Sequence, residues 1–479
     1  MGGSAHLDLG VPAGAPFPVW KMVVTIVKCF VGSGVLFLPK AFSNGGWLFS
    51  SLSFIACAAL TNVCVMKLIA CRGAMPPGSD YGAMGARVAG RWGVLAVNAA
   101  LVLSQAGFCC VYISFVARNL IQLFNDSSAG CWVGPSSLWL FIAAEFLVLA
   151  PLTWVRRLTS FAPTNLAANL LILAGIVGVL AYSVQGMAAA PPGAARALSA
   201  MAPKWPVMLG TAIYAFEGAG MVVPMVNELP PGDRARFPRI FALTLAGVSA
   251  LYLAFGLVPY AYLRGYSDSA ACLAGSADCV QDTITLNLPH VWWSYALTGG
   301  YCLALVFSYP FMLFPAVRAL EDAAAPYLFP VGAGGGGGGG GAGGSGAEDS
   351  DSDSEALLPP GVDAEAAAEA VLQADSGWRM WRRNAFRSLI VGVTLLVAYV
   401  GAPQLDNMVA LIGAFCCTPI AFIFPAWFHA VLVSGPAGSR VGVAVDYAIV
   451  LLGLVILVFS TTISIQTWST STFNACIEG

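Results

Sequence analysis

The sequence predicts an all-helical (all-α) integral membrane protein with eleven membrane-spanning helices. Of its 479 residues, 58% are hydrophobic and only 10% are charged, and the mean hydropathy is +0.78. A soluble globular domain carries about 25% charged residues. Apolar segments of about 20 residues, long enough to cross a bilayer, recur along the chain. Two of these segments are interrupted by glycines in the same way, which predicts more than a simple bundle.

Hydropathy and the charged or turn-forming residues between apolar segments define the spans. They cover 20–42, 47–70, 92–117, 137–155, 163–186, 205–226, 239–263, 293–317, 386–402, 406–432 and 444–467. The chain is thus divided into a 1–19 tail, helices 1–8 in 20–317, a connection at 318–385, helices 9–11 in 386–467 and a 468–479 tail. Residues 1–19 contain no apolar core, so no signal peptide is expected.

The charges of the connections predict which side of the membrane each one faces. Most Lys and Arg residues fall in one set of connections, whereas the opposite set holds only Arg118, Arg196, Lys204 and Arg264. Because positive charge marks the cytosolic side, we expect the N-terminus in the cytosol. An odd number of spans then places the C-terminus outside the cell or in a lumen.

The non-cytosolic connections carry a glycosylation sequon and four cysteines. The sequon begins at Asn125, and the cysteines are Cys131, Cys272, Cys279 and Cys476. Four cysteines allow three pairings. We expect a Cys272–Cys279 disulfide, because both lie in one loop in an oxidising compartment, and free thiols are the alternative.

The 318–385 connection is expected to be a cytosolic, largely disordered loop. It contains a polyglycine run at 334–341 and an acidic serine tract at 348–355, neither of which can build a core. Serines among acidic residues resemble kinase sites. Asp353, Leu357 and Leu358 fit an acidic dileucine sorting motif. A kinase or a clathrin adaptor is therefore a candidate partner at 348–358, and a chance match is the alternative.

The two interrupted spans have the same pattern. The first reads Val31-Gly32-Ser33-Gly34-Val35 before Pro39, and the second reads Glu217-Gly218-Ala219-Gly220-Met221 before Pro224. Each break falls in the first span of a set of five, and these two spans cross the membrane in opposite directions. That arrangement predicts an inverted 5+5 repeat plus one extra helix, with a binding site at the bilayer midplane.

The exposed backbone of such breaks can bind a zwitterion. N–H groups near Gly32, Ser33 and Gly34, together with a half-helix N-terminus, suit a carboxylate. Carbonyl groups at the other half-helix end suit an ammonium group or a cation. For either break taken singly, small-residue helix packing is the alternative.

Four side chains near the breaks or within spans have two interpretations each. Glu217 is either a proton carrier or a carboxyl group that braces the unwound backbone. Phe216 either covers a ligand or belongs to the core. Glu145 is expected to serve packing or a polar pair, with coupling as the alternative, and Lys28 either snorkels or lies near the site. Ser308 is the one hydroxyl well placed for sodium, so proton coupling is preferred.

At these residues the chain resembles the amino acid/auxin permease family of the amino acid–polyamine–organocation superfamily. The matching segments are 28–42 with Gly45-Gly46-Trp47, 216–220 with Pro224 and Asn227-Glu228, Asn287-Leu288-Pro289, Tyr309-Pro310 with 314–316 and Glu321, and 412–414 with 421–425. They resemble most closely proton-coupled amino acid transporters and vacuolar exporters of fungi and plants. The long insertion before span 9 and Glu145 depart from the family pattern.

The resemblance implies a leucine-transporter type of fold and transport of small or neutral amino acids. It implies a substrate site at Gly32, Ser33, Gly34, Phe216, Gly218 and Gly220, with Glu217 as the proton-coupling residue. The expected membrane is vacuolar or lysosomal, with the plasma membrane as the alternative. A receptor that senses amino acids and signals through the 318–385 loop is the second hypothesis.

Other functions are not indicated. The net charge of −2 gives no basic signal for nucleic acid. The three histidines form no cluster, and no metal, cofactor or nucleophile constellation points to an enzyme. No filter motif or pore-lining ring indicates a channel.

Overall fold

The computed structural model describes residues 18–76, 78–127, 137–155, 162–274, 279–328 and 377–468. Every regular element in these ranges is helical. By length and apolar composition, eight helices can cross a membrane, or nine if the bent pair Val19–Phe30 and Ser33–Gly45 is one span. The described part of the chain is therefore that of a helical multi-pass membrane protein.

The helices lie close to their predicted positions. They are α1 (Val19–Phe30), α2 (Leu38–Gly45), α3 (Trp47–Gly73), α4 (Tyr81–Ser127), α5 (Leu138–Thr153), α6 (Ala162–Ala189), α7 (Trp205–Ala215), α8 (Ala219–Glu228), α9 (Phe237–Gly265), α10 (Trp292–Leu328), α11 (Gly377–Gly401), α12 (Leu405–Leu411), α13 (Phe424–His429) and α14 (Arg440–Gln466). Short helical turns occur at Pro231–Arg234 and Ala270–Leu273. π-Helical turns at Ile412–Cys417, Pro419–Ile423 and Ala430–Ser434 continue the path of α12 and α13.

Helical extensions shorten the predicted 318–385 loop at both ends. α10 continues to Leu328, and α11 already begins at Gly377. α10 and α11 are joined here by Arg387 of α11, which donates to both carboxylate oxygens of Glu321 on α10 at 2.7 and 3.0 Å. A bidentate pair of this kind depends on the relative position of two side chains, which hydropathy cannot predict.

The polarity of the molecule is arranged for a lipid environment. Large apolar side chains lie on the outside. On α14, for example, Leu451, Val455 and Val458 are each more than half exposed. Charged side chains lie inside instead, among them Lys40, Arg118, Glu145, Glu217, Asp406 and Asp446. Because ionisable groups are costly within a bilayer, these interior positions are the first places to look for a functional site.

Two glycines bring α7 into backbone contact with the α12 region. A Cβ added at Gly210 would lie 2.2 Å from the Ala410 carbonyl oxygen, and one at Gly413 would lie 1.9 Å from the Gly210 carbonyl oxygen. Neither position has room for a side chain, so the helices approach as closely as backbones allow. This contact fixes α7, and with it the start of the second break, against the helix that follows Gln404.

Candidate functional site

The two breaks predicted from the sequence meet in the interior. A Cβ added at Gly34 would lie 3.1 Å from Ala215 Cα, the last residue of α7. The hydroxyl groups of Ser33 and Tyr214 are 3.2 Å apart and share a hydrogen bond. The structure therefore brings the two Gly-x-Gly segments into one place.

The first break leaves helical geometry at Val31 and Gly32. Val31 is extended, with ψ 94°, and Gly32 has φ −136° and ψ −144°. The chain then forms a 3₁₀ turn at Ser33–Phe37 before α2, and the two parts are bent by 49°. The first N–H groups of a helical segment have no acceptor within it. At Gly32 an added Cβ would meet nothing within 4 Å, so this backbone borders open space.

The second break is filled by its own side chains. The non-helical residues between α7 and α8 are Phe216, Glu217 and Gly218, and all three are buried. The backbone N–H groups of Gly218 and Gly220, at the start of α8, face the Glu217 carboxyl group. Its Oε2 atom has no hydrogen-bond partner. Glu217 thus occupies the position that an anion would take at a helix N-terminus.

Tyr252 of α9 links the two breaks and was missed by the sequence analysis. It is fully buried, and its hydroxyl oxygen lies 2.6 Å from the Phe30 carbonyl oxygen and 3.2 Å from that of Ala215. Phe30 ends α1 and Ala215 ends α7. No sequence signal marks this tyrosine, because it lies in an uninterrupted apolar helix and its partners are remote in sequence.

Phe216 belongs to an aromatic cluster. Its ring centroid is 5.9 Å from that of Phe54 and 5.2 Å from that of Tyr252. The ring that covers the second break is that of Phe30, which would lie 2.8 Å from a Cβ at Gly218. Core packing of Phe216, one of the two interpretations of the sequence, therefore accounts for its position.

The hydroxyl groups of Ser308 and Tyr309 on α10 make hydrogen bonds within α10 or with α11. Ser308 donates to the Ala304 carbonyl of its own helix at 2.8 Å. The Tyr309 hydroxyl is 2.6 Å from that of Thr394 on α11. Among the described residues, no group of three or more His, Cys, Asp or Glu side chains is arranged to hold a metal ion.

A charged cluster closes one end of the molecule beside α2. We call Lys40, Asn44, Arg118, Asp282 and Asp406 the Asp282 cluster. Arg118 of α4 pairs with Asp282, whose other oxygen is 3.8 Å from Lys40 Nζ. Asn44 Nδ2 donates to Asp406 Oδ2 at 2.8 Å. Burial acts to raise the pKa of Asp282, but the charges of Arg118 and Lys40 outweigh it and hold that pKa below its ordinary value.

A second charged cluster lies at the opposite end of α3. We call Lys67, His429, Ser434 and Asp446 the Asp446 cluster. Asp446 is fully buried and accepts from Lys67 Nζ at 2.6 Å and from the Ser434 hydroxyl at 2.7 Å, and His429 Nδ1 lies 2.8 Å away. α3 begins at Trp47, a few residues after Asn44 of the Asp282 cluster, and Lys67 lies near its other end, so the two clusters lie near opposite ends of α3.

The remaining predicted residues lie away from the breaks. Cys272 and Cys279 form a disulfide in the connection between α9 and α10. Asn125, in the last turns of α4, is only 8% exposed, which disfavours a glycan there. Asp353, Leu357, Leu358, Cys131 and Cys476 lie outside the described residues.

Two further ionisable side chains have different surroundings. Glu145 of α5 is buried, and its Oε1 atom has no hydrogen-bond partner. Lys28 of α1 is half-buried, with its Nζ atom 5.1 Å from the ring centroid of Phe311 on α10. Neither side chain makes a described contact with Glu217.

Two broken helices that meet in the interior of a multi-pass bundle, one of them with a buried carboxyl group, are an arrangement typical of membrane transporters. The family comparison specifies it further. Residues 17–466 match the model of the family described as transmembrane amino acid transporter protein, and the chain belongs to this family. That family consists of transporters rather than enzymes, in agreement with the sequence prediction.

Curated relatives come from fungi and plants. The chain is 32% identical over 458 residues to vacuolar amino acid transporter 3 of Saccharomyces cerevisiae, covering 94% of this chain and 56% of the relative. It is 28% identical to vacuolar amino acid transporter 4 of the same yeast, covering 85% and 52%. Amino acid transporter AVT3C of Arabidopsis thaliana is 27% identical, covering 96% and 92%. The chain thus spans about half the length of the yeast relatives.

A solved structure also matches. The crystal structure of MhsT in complex with L-phenylalanine aligns over 91% of this chain and 98% of that chain, with a TM-score of 0.40 and 12% identity.

Proposed function

We propose that this protein is a secondary active transporter of small or neutral amino acids, coupled to protons, with its substrate site between the two breaks. The observation that carries the proposal is the meeting of the two breaks, with Gly34 against Ala215 and the Phe30 ring against Gly218, in a bundle that also buries the carboxyl group of Glu217. Relatives named as amino acid transporters support the substrate class.

The first break is the proposed site of the substrate carboxylate. Its N–H groups at Gly32, Ser33 and Gly34 precede a 3₁₀ turn, and Gly32 borders open space. At the second break, the corresponding donors of Gly218 and Gly220 already face Glu217. A second carboxylate would therefore be placed where the helix dipole and N–H groups are still available, which is at the first break.

Glu217 is the proposed proton-coupling residue. A carboxylate without a cation partner is costly in a buried site, whereas its protonated form is not. The Oε2 atom of Glu217 has no hydrogen-bond partner, so this atom can accept a proton without breaking a contact. Binding and release of that proton would change the charge of the site that binds the substrate. Proton movement and amino acid movement across the membrane would thereby be linked.

The conformation represents one state of an alternating-access cycle in this proposal. From Ser33 to Phe42 every residue is buried, and the Asp282 cluster closes the adjoining end. Val31, Gly32, Gly220 and Met221 are half-buried instead. In this proposal the pathway is shut on the side of α2 and more accessible on the side of α1, which is the side that the charge pattern predicts to be cytosolic.

Eleven spans in an inverted 5+5 arrangement complete the proposed architecture. The apolar stretch Met380–Ser434 is 55 residues long, which at about 1.5 Å per residue is more than twice the hydrocarbon thickness. Gln404, with φ −125° and ψ 47°, divides it into two spans. Together with the shorter apolar helix Leu138–Thr153, this division makes eleven. We propose the vacuolar or lysosomal membrane as its location, because the yeast relatives are named as vacuolar.

Flux into proteoliposomes tests the proposal. The wild-type protein should carry amino acids from a panel of the common ones, and an imposed gradient of about one pH unit should drive an about tenfold concentration ratio for one proton per substrate. Glu217→Gln keeps the shape of the side chain but cannot be protonated. We expect it to exchange substrate across the membrane without responding to the pH gradient.

Glu145→Gln is the matched control, since Glu145 is another buried carboxyl group away from the breaks. It should respond to the gradient as the wild type does. Wild-type flux that ignores the gradient contradicts proton coupling. Absence of flux for every amino acid, from folded protein in both orientations, contradicts transport itself.

A further inference from the structure

Tyr252 holds the ends of two half-helices with a single hydroxyl group. Its oxygen is 2.6 Å from the Phe30 carbonyl and 3.2 Å from the Ala215 carbonyl. The last carbonyl groups of a helix have no donor within that helix, and here a fully buried tyrosine can supply one. The ends of the two half-helices therefore share one side-chain donor.

One phenolic hydroxyl carries one proton, so it can donate to only one of the two carbonyl oxygens at a time. The shorter distance assigns the proton to Phe30 in this conformation. The Ala215 carbonyl is close enough to receive it after a rotation about the C–O bond. The two half-helix ends are consequently coupled, because a donor released by one becomes available to the other.

The surroundings of Tyr252 fix its ring, whereas its hydroxyl group can rotate between the carbonyl oxygens of Phe30 and Ala215. The ring is fully buried, with its centroid 5.2 Å from that of Phe216. α7, which carries Ala215, is held by the backbone contact between Gly210 and Gly413. α1, which carries Phe30, buries only Met22, Ile26 and Phe30 along its length. Of the two partners, α1 is the one with fewer contacts to break.

We propose that Tyr252 is a positioning residue that couples the two breaks by transferring its hydrogen bond from Phe30 to Ala215 when α1 moves away. This proposal rests on the proposed transport function. It adds a residue outside the breaks that touches no substrate. Its role is to give the hydroxyl group an acceptor in both conformations, because the Ala215 carbonyl gains the hydrogen bond that the Phe30 carbonyl loses when α1 moves.

Tyr252→Phe removes the hydroxyl group and retains the ring. In proteoliposomes we expect kcat to fall about tenfold while KM changes less than about twofold, because the variant loses an interaction used in the conformational step and not in binding. Tyr301→Phe is the matched control. Tyr301 is also fully buried and donates to a backbone carbonyl, that of Ile172 at 3.0 Å, but it touches neither break. This variant should transport as the wild type does.

Hydrogen exchange measured by mass spectrometry in nanodiscs provides a readout that does not need transport. Tyr252→Phe should accelerate exchange about threefold to tenfold in peptides covering 30–34 and 215–219 together, whereas Tyr301→Phe should leave both unchanged. Faster exchange in one segment alone, or in neither, overturns the coupling. Equal loss of kcat in both variants also overturns it. If the wild type moves no amino acid, the proposed function fails and the exchange result still decides the role of Tyr252.

Discussion

The two breaks have the same Gly-x-Gly spacing but very different surroundings. At the first, the helix halves are bent by 49° and a Cβ at Gly32 would meet nothing within 4 Å. At the second, Glu217 is buried and a Cβ at Gly218 would lie 2.8 Å from the Phe30 ring. The same sequence pattern therefore produces an accessible backbone in one helix and a packed backbone in the other. What differs is the neighbour: the second break contains its own carboxyl group, and the first does not.

The two halves of the first broken helix also differ. α2 is almost wholly buried and is tied by Lys40, which donates to the Val280 carbonyl at 2.7 Å, and by Asn44, which donates to Asp406. α1 exposes Val19, Trp20 and Val24 by half or more. The open break thus separates a fixed half-helix from a loosely held one, as a hinge requires.

The largest expected effect on the Tm comes from removing the interactions that hold α2, the fixed half of the first broken helix. Arg118→Met removes the main partner of Asp282 and leaves its partly buried carboxylate with Lys40 at 3.8 Å and the charge of Lys204. Breaking a buried pair costs about 3–5 kcal/mol, and the lower end applies because Lys40 remains. We expect a clearly lower Tm in detergent, measured by scanning fluorimetry. Arg236→Met is the control, because Arg236 is 69% exposed and its pair with Asp233 is a surface pair.

The pH dependence of stability identifies the charge involved. The pKa of Asp282 is lower in the folded state than in the unfolded state. The ionised side chain therefore contributes fully to the free energy of unfolding above the unfolded-state pKa of about 3.9. That contribution is lost as the pH falls toward the folded-state pKa. The difference in Tm between wild type and Arg118→Met should be largest near neutral pH and should shrink as the pH falls, because without Arg118 burial raises the pKa of Asp282 in the variant. A difference that grows as the pH falls would assign the effect to another group.

A smaller effect is expected from adding a methyl group to each break. Gly218→Ala places a Cβ against the Phe30 ring and should cost about 1–3 kcal/mol through overpacking. Gly32→Ala has open space and should change the Tm little, yet it should raise KM for amino acids if the substrate lies there. Comparing Tm and flux for the pair separates packing from binding. Equal losses of Tm would show that the first break is as tightly packed as the second.

The smallest expected effect concerns Lys28, beside the first break. Its Nζ atom lies 5.1 Å from the Phe311 ring centroid, an arrangement worth about 0.5–1 kcal/mol at an accessible position. Lys28→Met should therefore lower the Tm slightly and leave amino acid selectivity unchanged in the flux panel. A loss of substrate binding would show that a side-chain cation, and not the backbone alone, binds the carboxylate at this break.

Hydropathy located most helices within a few residues, because a bilayer imposes one length and one composition on every span. α10 and α11 continue as polar helices beyond the predicted spans, into both ends of the 318–385 connection, where Arg387 pairs with Glu321. Glycine, proline and an acidic residue inside apolar spans also identified both breaks and Glu217, since such residues are costly there unless they have a use.

By itself, then, the sequence determined the class of protein, the breaks in two helices and the buried carboxyl group. Only the tertiary structure decided which break is open, that Glu217 faces the N-terminus of α8, and that Tyr252 serves both half-helices. Contacts such as those of Tyr252 with Phe30 join residues far apart in the chain. They depend on how the helices pack, and the local amino-acid composition does not predict that packing.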